Sequence, residues 1–419
     1  MIPWLRALFV RHRPKLGALD ILKYIGPGFL VTVGFIDPGN WATSLAAGAG
    51  HGYQLLWVVT AGTVLLILLQ HNAAHLGIVT GLCLSEASTR FLPRRVGPAL
   101  LSTGVLAAVA TALAELLGAA IGLNMLLGLP LGVGAVLTAA GVWAMLLTNS
   151  YRRVERWIIG MVGLVGLAFV YELVLVPVDW GAAARGAFLP AAPIGSGALI
   201  LAVLGSVVMP HNLFLHSEVI QSRQYNLEDE AAVKERLRCE PLDTLSAMGL
   251  GWAINCAMIM LAASVFFARG VRVTELPQAQ SMLAPLLGRA AGAVFAVALV
   301  CSGFASSLTA AMAGGSIFAG IFGEPYHASD RHSRAGIALT LGGGLAAVLL
   351  LRDPFQGLIW SQVALSLQLP FTVFPLVALT SSRKVMGKHT NPGVEKALLW
   401  SAAAVVTFLN VFLIRDALR

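Results

Sequence analysis

The sequence predicts an all-α polytopic membrane protein of about eleven transmembrane helices, built as two five-helix halves of inverted topology with helices 1 and 6 unwound. Three observations carry that expectation. Of 419 residues, 57 % are hydrophobic and only 11 % charged, against roughly 45–50 % and about 25 % in soluble proteins. Eleven apolar runs are each long enough to cross a bilayer. Two of those runs, five spans apart, are interrupted by proline beside polar residues. A mean hydropathy of +0.80 agrees. So few charges cannot cover a water-facing surface, which excludes a soluble enzyme, a nucleic-acid binder and a disordered scaffold. The net charge of +8 is what basic cytoplasmic loops supply. Cys83, Cys239, Cys256 and Cys301 form no CxxC pair, so neither a disulfide framework nor a zinc site is expected.

The spans are expected over 24–48, 55–79, 98–128, 131–148, 157–177, 196–216, 243–268, 290–322, 334–351, 357–380 and 394–414. Backbone groups in hydrocarbon must be satisfied internally, so each is a helix, and breaks survive only where protein or a cavity shields them. Residues 1–23 are basic, proline-broken and without the apolar stretch of a signal peptide, and read as a cytoplasmic N-terminal segment. Residues 24–380 form the ten-helix core, as repeats 24–177 and 196–380. Residues 394–419 add helix 11 and the C-terminus. With the N-terminus inside, 21 of the 28 Lys and Arg fall in cytoplasmic segments and 7 on the other side. The positive-inside rule then places this multi-pass protein in the cell membrane with its C-terminus extracytoplasmic. The longest hydrophilic stretch, Ser217–Leu242, is expected in the cytoplasm with a short surface helix.

A charge buried in a bilayer costs about 2.5–3.5 kcal/mol or more, so each one needs a reason. Asp37 and Glu115 lie well inside spans, whereas Glu172 and Asp243 lie near span ends. Asp37 belongs to Gly34-Phe-Ile-Asp-Pro-Gly-Asn40 in span 1. Pro38 removes a backbone donor there and Gly39 relaxes the chain, which predicts loose carbonyls beside Asp37 and Asn40. A carboxylate, an amide oxygen and free carbonyls make an oxygen-rich cation site. The bland alternative is a proline kink with its Asp satisfied locally. Span 6 carries Gly205-Ser-Val-Val-Met-Pro-His-Asn-Leu-Phe-Leu-His216, where Met209 precedes the break at Pro210 and His211, Asn212 and His216 follow it. Met209 is either core filler or a thioether ligand. Interrupted helices at matching positions of two halves are the sequence pointer to an inverted-repeat transporter with a midplane site. Because five is odd, the halves must run in opposite senses.

Other polar residues admit two readings each. His71 and His75, at i and i+4, line an inner vestibule or bind a metal. Asn255 and Gln362 either reach the central site or join helices. Glu115 needs a partner or a proton, and Arg334 at the inner start of span 9 is a candidate partner.

The pairing of Asp37-Pro-Gly-Asn40 with Met209-Pro-His211 and His216 resembles the Nramp family of divalent-metal transporters. Leu76-Gly-Ile-Val-Thr-Gly81, Ala114-Glu-Leu-Leu-Gly-Ala119 and Trp360-Ser-Gln362 support it. The resemblance implies a LeuT-type inverted repeat that imports Mn²⁺ or Fe²⁺, with Cd²⁺, Co²⁺ and Zn²⁺ in the wider set and protons as the usual co-substrate. It places metal ligands at Asp37, Asn40 and Met209, with the backbone carbonyl of Ser206, where the family more often has alanine. Gln362 matches a glutamine that approaches the metal in some states. Glu115, His211, His216 and, through a weaker match, Arg334 fall on the proton pathway. The family's usual aspartate three residues before the span-3 glutamate is Ala112 here, and a further acidic position reads Val105. Metal binding is thus expected to be intact, and proton coupling weakened or rerouted. Met209 itself argues for a transition metal, because Mg²⁺ and Ca²⁺ gain nothing from a thioether.

The rival readings are a sodium-coupled symporter of amino acids or small solutes on the same scaffold, and a membrane-embedded enzyme using His71 and His75. The histidine count argues against the enzyme. No resident cofactor is expected: the metal is cargo.

Overall fold

The structure is a computed structural model that describes residues 32, 36–148, 151–221, 230–278 and 289–417. Segment 1–23, nearly all of the first half of span 1 and the 222–229 part of the hydrophilic stretch lie outside the described residues. The described helices are α1 (Pro38–His51), α2 (Leu56–Thr80), α3 (Leu84–Phe91), α4 (Val96–Leu127), α5 (Leu131–Thr148) and α6 (Tyr151–Val174). They continue with α7 (Trp180–Phe188), α8 (Gly197–Val207), α9 (Pro210–Gln221), α10 (Glu230–Val265), α11 (Arg289–Ile321), α12 (Arg331–Leu350), α13 (Pro354–Thr380), α14 (Arg383–Met386) and α15 (Gly393–Ala417). Among the described residues, 10 segments are long and apolar enough to cross a membrane. They correspond to the second through eleventh expected spans, and α1 is the described part of the first.

Both breaks form where proline demands them. Asp37 is extended (φ −67°, ψ 151°) and caps α1, with Pro38 in the first turn. A proline there loses no hydrogen bond, since the first N–H groups of a helix have no intrahelical acceptor. In span 6, α8 ends at Val207, Val208 turns away (φ −104°, ψ 64°), and α9 restarts at Pro210.

Three differences from the sequence reading have local causes. Residues 230–242 are not a separate surface helix: they are the first turns of α10, which runs through Pro241 into span 7. At its start the Glu230 carboxylate meets Lys234 at 3.0 Å and Lys388 at 2.6 Å. Those ammonium groups hold the Glu230 carboxyl down at about 2. The short α3 and α7 were not foreseen, because neither is long enough to leave a periodic signal. Glu86 caps the backbone N–H of Cys83 at 2.9 Å, and Asp179 caps that of Ala182 at 2.9 Å.

The interior is built from α1, α4, α8, α9, α11 and α13, with α4 and α11 packed along much of their length. In the most apolar 18-residue stretch of Gly197–Ile220 89 % of residues are buried, but in that of Gly393–Val411 only 22 % are. The broken helix is therefore central and helix 11 peripheral. Leu106, Leu167, Val170, Leu350 and Phe408 point outward. Apolar outer faces of this kind suit lipid rather than water.

Candidate metal centre

Asp37, Asn40, Ser206, Met209 and Gln362 are all buried, with at most 1 % exposure. Asp37 uses one carboxylate oxygen as the cap of α1: Oδ1 accepts from the Asn40 backbone N–H at 3.1 Å. Its Oδ2 accepts from Gln362 Nε2 at 3.3 Å. The Gln362 oxygen Oε1 has no partner among the described residues. A buried acceptor without a donor is costly, so an orphaned oxygen beside a carboxylate fits a cation.

Asn40 is held by its amide. Its Nδ2 donates to Asn255 Oδ1, and its Oδ1 accepts from Ser44 Oγ at 3.2 Å and lies 3.0 Å from Ser206 Oγ. Of the two readings for Asn255, joining helices is the one observed, and it turns the Asn40 oxygen inward. The Ser206 hydroxyl also lies 2.9 Å from the Val203 carbonyl. Its one proton can serve Val203 or Asn40, not both.

The Ser206 carbonyl owes its availability to Pro210. An α-helical N–H bonds the carbonyl four residues back, and proline has none to give. This carbonyl sits at the C-terminal end of α8, where the helix dipole favours a cation. The carbonyls of span 1 are less free than expected. That of Ile36 accepts from Trp41 Nε1 at 2.8 Å and from Ser302 Oγ. Met209 packs against Ala107 and Leu365, and Asn212 Nδ2 lies 3.5 Å from its sulfur.

Two glycines let the helices close. A Cβ on Gly118 would lie 1.9 Å from the Pro38 ring, and one on Gly39 would lie 1.8 Å from Gln362 Nε2. Gly39 thus matters for close approach as well as for loosening the backbone.

The four groups read as a proton pathway do not form one cluster. Glu115 is fully buried and accepts from Ser306 Oγ, and its other carboxylate oxygen has no partner among the described residues. His211 shares a hydrogen bond of 3.1 Å with Thr111 Oγ1, and His216 donates from Nδ1 to Gln70 Oε1 at 2.7 Å. Arg334 is not the partner of Glu115. It is exposed, and its Nε donates to the Ala328 carbonyl at 3.2 Å, because the α12 face carrying it turns outward.

Sequence reasoning missed Ser302 and Ser306, which lie one turn apart on α11 and supply the hydroxyls facing Ile36 and Glu115. A polar pair at helical spacing inside an apolar span was the available signal. His71 and His75 do not form a metal cluster. Among the described residues, Cys83, Glu86 and Glu218 are the one group of three or more His, Cys, Asp or Glu residues whose ligand atoms all lie within 4.8 Å of one another.

With this geometry in place, comparisons with known proteins fix the family. The family described as Natural resistance-associated macrophage protein-like (Nramp) matches residues 28–416. A divalent metal cation transporter MntH of Brucella suis is 39 % identical over 404 residues, covering 94 % of this chain and 88 % of the relative. One of Caldanaerobacter subterraneus is 36 % identical over 95 % of this chain and 94 % of its own. The crystal structure of a mutant Eremococcus coleocola manganese transporter superposes with a TM-score of 0.81 at 29 % identity, covering 96 % and 88 % of the two chains. The transporter Mhp1 shares the LeuT-type fold alone, with a TM-score of 0.63 at 13 % identity over 94 % of this chain and 92 % of its own. The chain belongs to the Nramp family of membrane transporters and is not an enzyme.

Proposed function

We propose that this chain is a secondary transporter that imports divalent transition-metal ions across the cell membrane. Mn²⁺ and Fe²⁺ are its foremost substrates, Cd²⁺, Co²⁺ and Zn²⁺ fall within reach, and protons are co-substrate. The observation that carries the reading is a wholly buried donor set at two helix breaks: the Asp37 carboxylate, the Asn40 and Gln362 amide oxygens, the Ser206 carbonyl and the Met209 thioether. One sulfur among oxygens suits Mn²⁺, Fe²⁺ or Cd²⁺ and gives Mg²⁺ and Ca²⁺ no advantage. A carboxylate and a thioether are poor hosts for a substrate carboxylate, which weighs against the amino-acid symporter. On this reading repeats 24–177 and 196–380 rock around the site, with the N-terminus in the cytoplasm and the C-terminus outside.

Protein reconstituted into proteoliposomes with an internal pH dye tests the reading. Saturable Mn²⁺ uptake, little affected by excess Mg²⁺ or Ca²⁺ and accompanied by acidification, is expected. Sodium-driven amino-acid uptake with no metal uptake would overturn it.

Ser206 gives a prediction of its own. When its hydroxyl donates to Asn40 it occupies a lone pair of the oxygen that Asn40 would offer the metal, and turning to Val203 frees it. Ser206→Ala removes that competitor and keeps the carbonyl. Since one hydrogen bond is worth about 0.5–1.5 kcal/mol, Mn²⁺ should bind roughly 2–10-fold more tightly. Calorimetric titration of the purified variant checks this. Weaker binding would mean that the hydroxyl assists the metal.

A further inference from the structure

Where α13 and α15 pass the start of α4, Leu92, Val96, Leu100, Phe371, Phe374 and Trp400 line a groove of about 460 Å³. Two prolines shape it. Pro370 and Pro375 lie inside α13 and cannot donate to the carbonyls of Ser366 and Phe371, four residues earlier. Asn410 of α15 takes up the first of these: its Nδ2 donates to the Ser366 carbonyl at 2.9 Å, and its Oδ1 accepts from Ser366 Oγ at 2.9 Å. Nearer the end of α13, the Phe374 and Trp400 rings meet with centroids 5.8 Å apart. The groove opens between these two ties and the first turns of α4.

Its walls expose no polar atom. Thr407 also lines it, but turns its hydroxyl onto the Ala403 carbonyl at 2.8 Å. Val96, Phe371, Phe374 and Trp400 are each more than a third exposed, so the groove faces outward. At one end the apolar walls give way to cations. Arg94 and Arg95 immediately precede Val96, and Lys396 lies one turn before Trp400 on the same side of α15. All three are exposed, and none makes an ion pair among the described residues. Arg383 and Lys384 follow the end of α13 and are exposed as well. The acids of the adjoining segments turn elsewhere: Glu86 caps the Cys83 N–H at 2.9 Å, and Glu395 accepts from Asn72 at 3.2 Å.

We propose that this groove binds one anionic phospholipid, with an acyl chain along Phe371, Phe374 and Trp400 and the phosphate at Arg94, Arg95 and Lys396. Hydrocarbon walls ending in unpaired cations match an amphiphile that carries its negative charge at one end. A guanidinium meets phosphate oxygens with two parallel donors, and an indole suits the boundary between chain and headgroup. A second copy of this chain is a poor occupant. A symmetric contact brings the same patch to both sides and would set these cations against their own copies. Ordinary contact with surrounding lipid needs neither a concave wall nor a charge. The inference needs only a chain embedded in a membrane, so it stands or falls apart from metal transport.

The test is quenching of Trp400 fluorescence by acyl-chain-brominated lipid in phosphatidylcholine vesicles. Brominated phosphatidylglycerol and brominated phosphatidylcholine are compared at equal mole fractions. Trp400→Phe, measured in parallel, supplies the signal of the other tryptophans, and the difference isolates Trp400. Each Lys or Arg near an anionic headgroup strengthens binding about fivefold, so phosphatidylglycerol should quench Trp400 with an apparent affinity at least about tenfold higher. Replacing both arginines, Arg94→Gln with Arg95→Gln, should lower that preference about tenfold or more. Both side chains are exposed, so the thermal unfolding midpoint should stay that of the parent. Equal quenching of Trp400 by the two lipids overturns the site and leaves only boundary lipid. A preference that survives in the folded double variant overturns the placement of the phosphate. Protection of Trp400 from both lipids in a dimeric protein overturns the proposal in favour of a second copy.

Discussion

Asp37→Ala is expected to abolish Mn²⁺ uptake, lowering it by more than about 100-fold, because it removes the one carboxylate among the proposed ligands. Loss of even an indirect partner of a metal typically costs about 10–100-fold. The remaining donors are neutral, and neutral oxygens with one sulfur cannot offset the dehydration of a divalent ion. Asp37 also caps α1 through the Asn40 N–H, a contact worth about 0.5–2 kcal/mol, so some loss of stability is expected as well. Asp37→Asn separates the two effects: it retains a capping oxygen and removes the charge. Metal at 100 times its Kd should stabilise the parent by about 2.7 kcal/mol. Neither variant should gain that stabilisation. Undiminished uptake by a folded Asp37→Ala protein would remove Asp37 from the site.

Met209→Ala is expected to change which ions pass more than how tightly Mn²⁺ binds. The side chain is 1 % exposed and packed on Ala107 and Leu365, so its removal opens space next to the oxygen donors. Water in that space can complete the shell of a hard ion that the sulfur disfavours. Mn²⁺ uptake should stay within about tenfold of the parent, while Ca²⁺ or Mg²⁺ uptake should rise at least about tenfold, because the filter depends on ligand softness. Cd²⁺, the softest of the substrates, should lose most. Competition assays with each ion read this directly. A Met209→Ala protein that excludes Ca²⁺ and Mg²⁺ as well as the parent would assign the filter to the oxygens.

Much of this site was legible in the sequence because its chemistry is written in breaks. Pro38 and Pro210 cannot sit inside a continuous helix, so the unwound positions and the freed Ser206 carbonyl follow from covalent structure alone. Asp37 stands out because a charge at that depth is costly. The closing of the site was not legible. That Gly39 and Gly118 admit Gln362 and Pro38 depends on residues some 80 to 320 positions away in the chain meeting in space. The same holds for Asn255 turning the Asn40 amide, and for Ser302 and Ser306 facing span 1. Arg334 was misplaced for a related reason. Its depth in span 9 was readable, but the face of α12 that carries it was not, because a span apolar all round gives no phase. His71 illustrates the converse. Its spacing to His75 admitted either a vestibule lining or a metal pair, and its actual partner, Glu240, lies in the hydrophilic stretch expected in the cytoplasm.

If one divalent transition metal binds where the two broken helices meet, anomalous X-ray diffraction from crystals of the protein soaked in Mn²⁺ will locate it. One dominant anomalous peak is expected within coordination distance of the Asp37 carboxylate, the Asn40 amide oxygen, the Ser206 carbonyl and the Met209 sulfur, and no such peak in Asp37→Ala. A dominant peak elsewhere, such as at Cys83, Glu86 and Glu218, with none between the breaks, would contradict it.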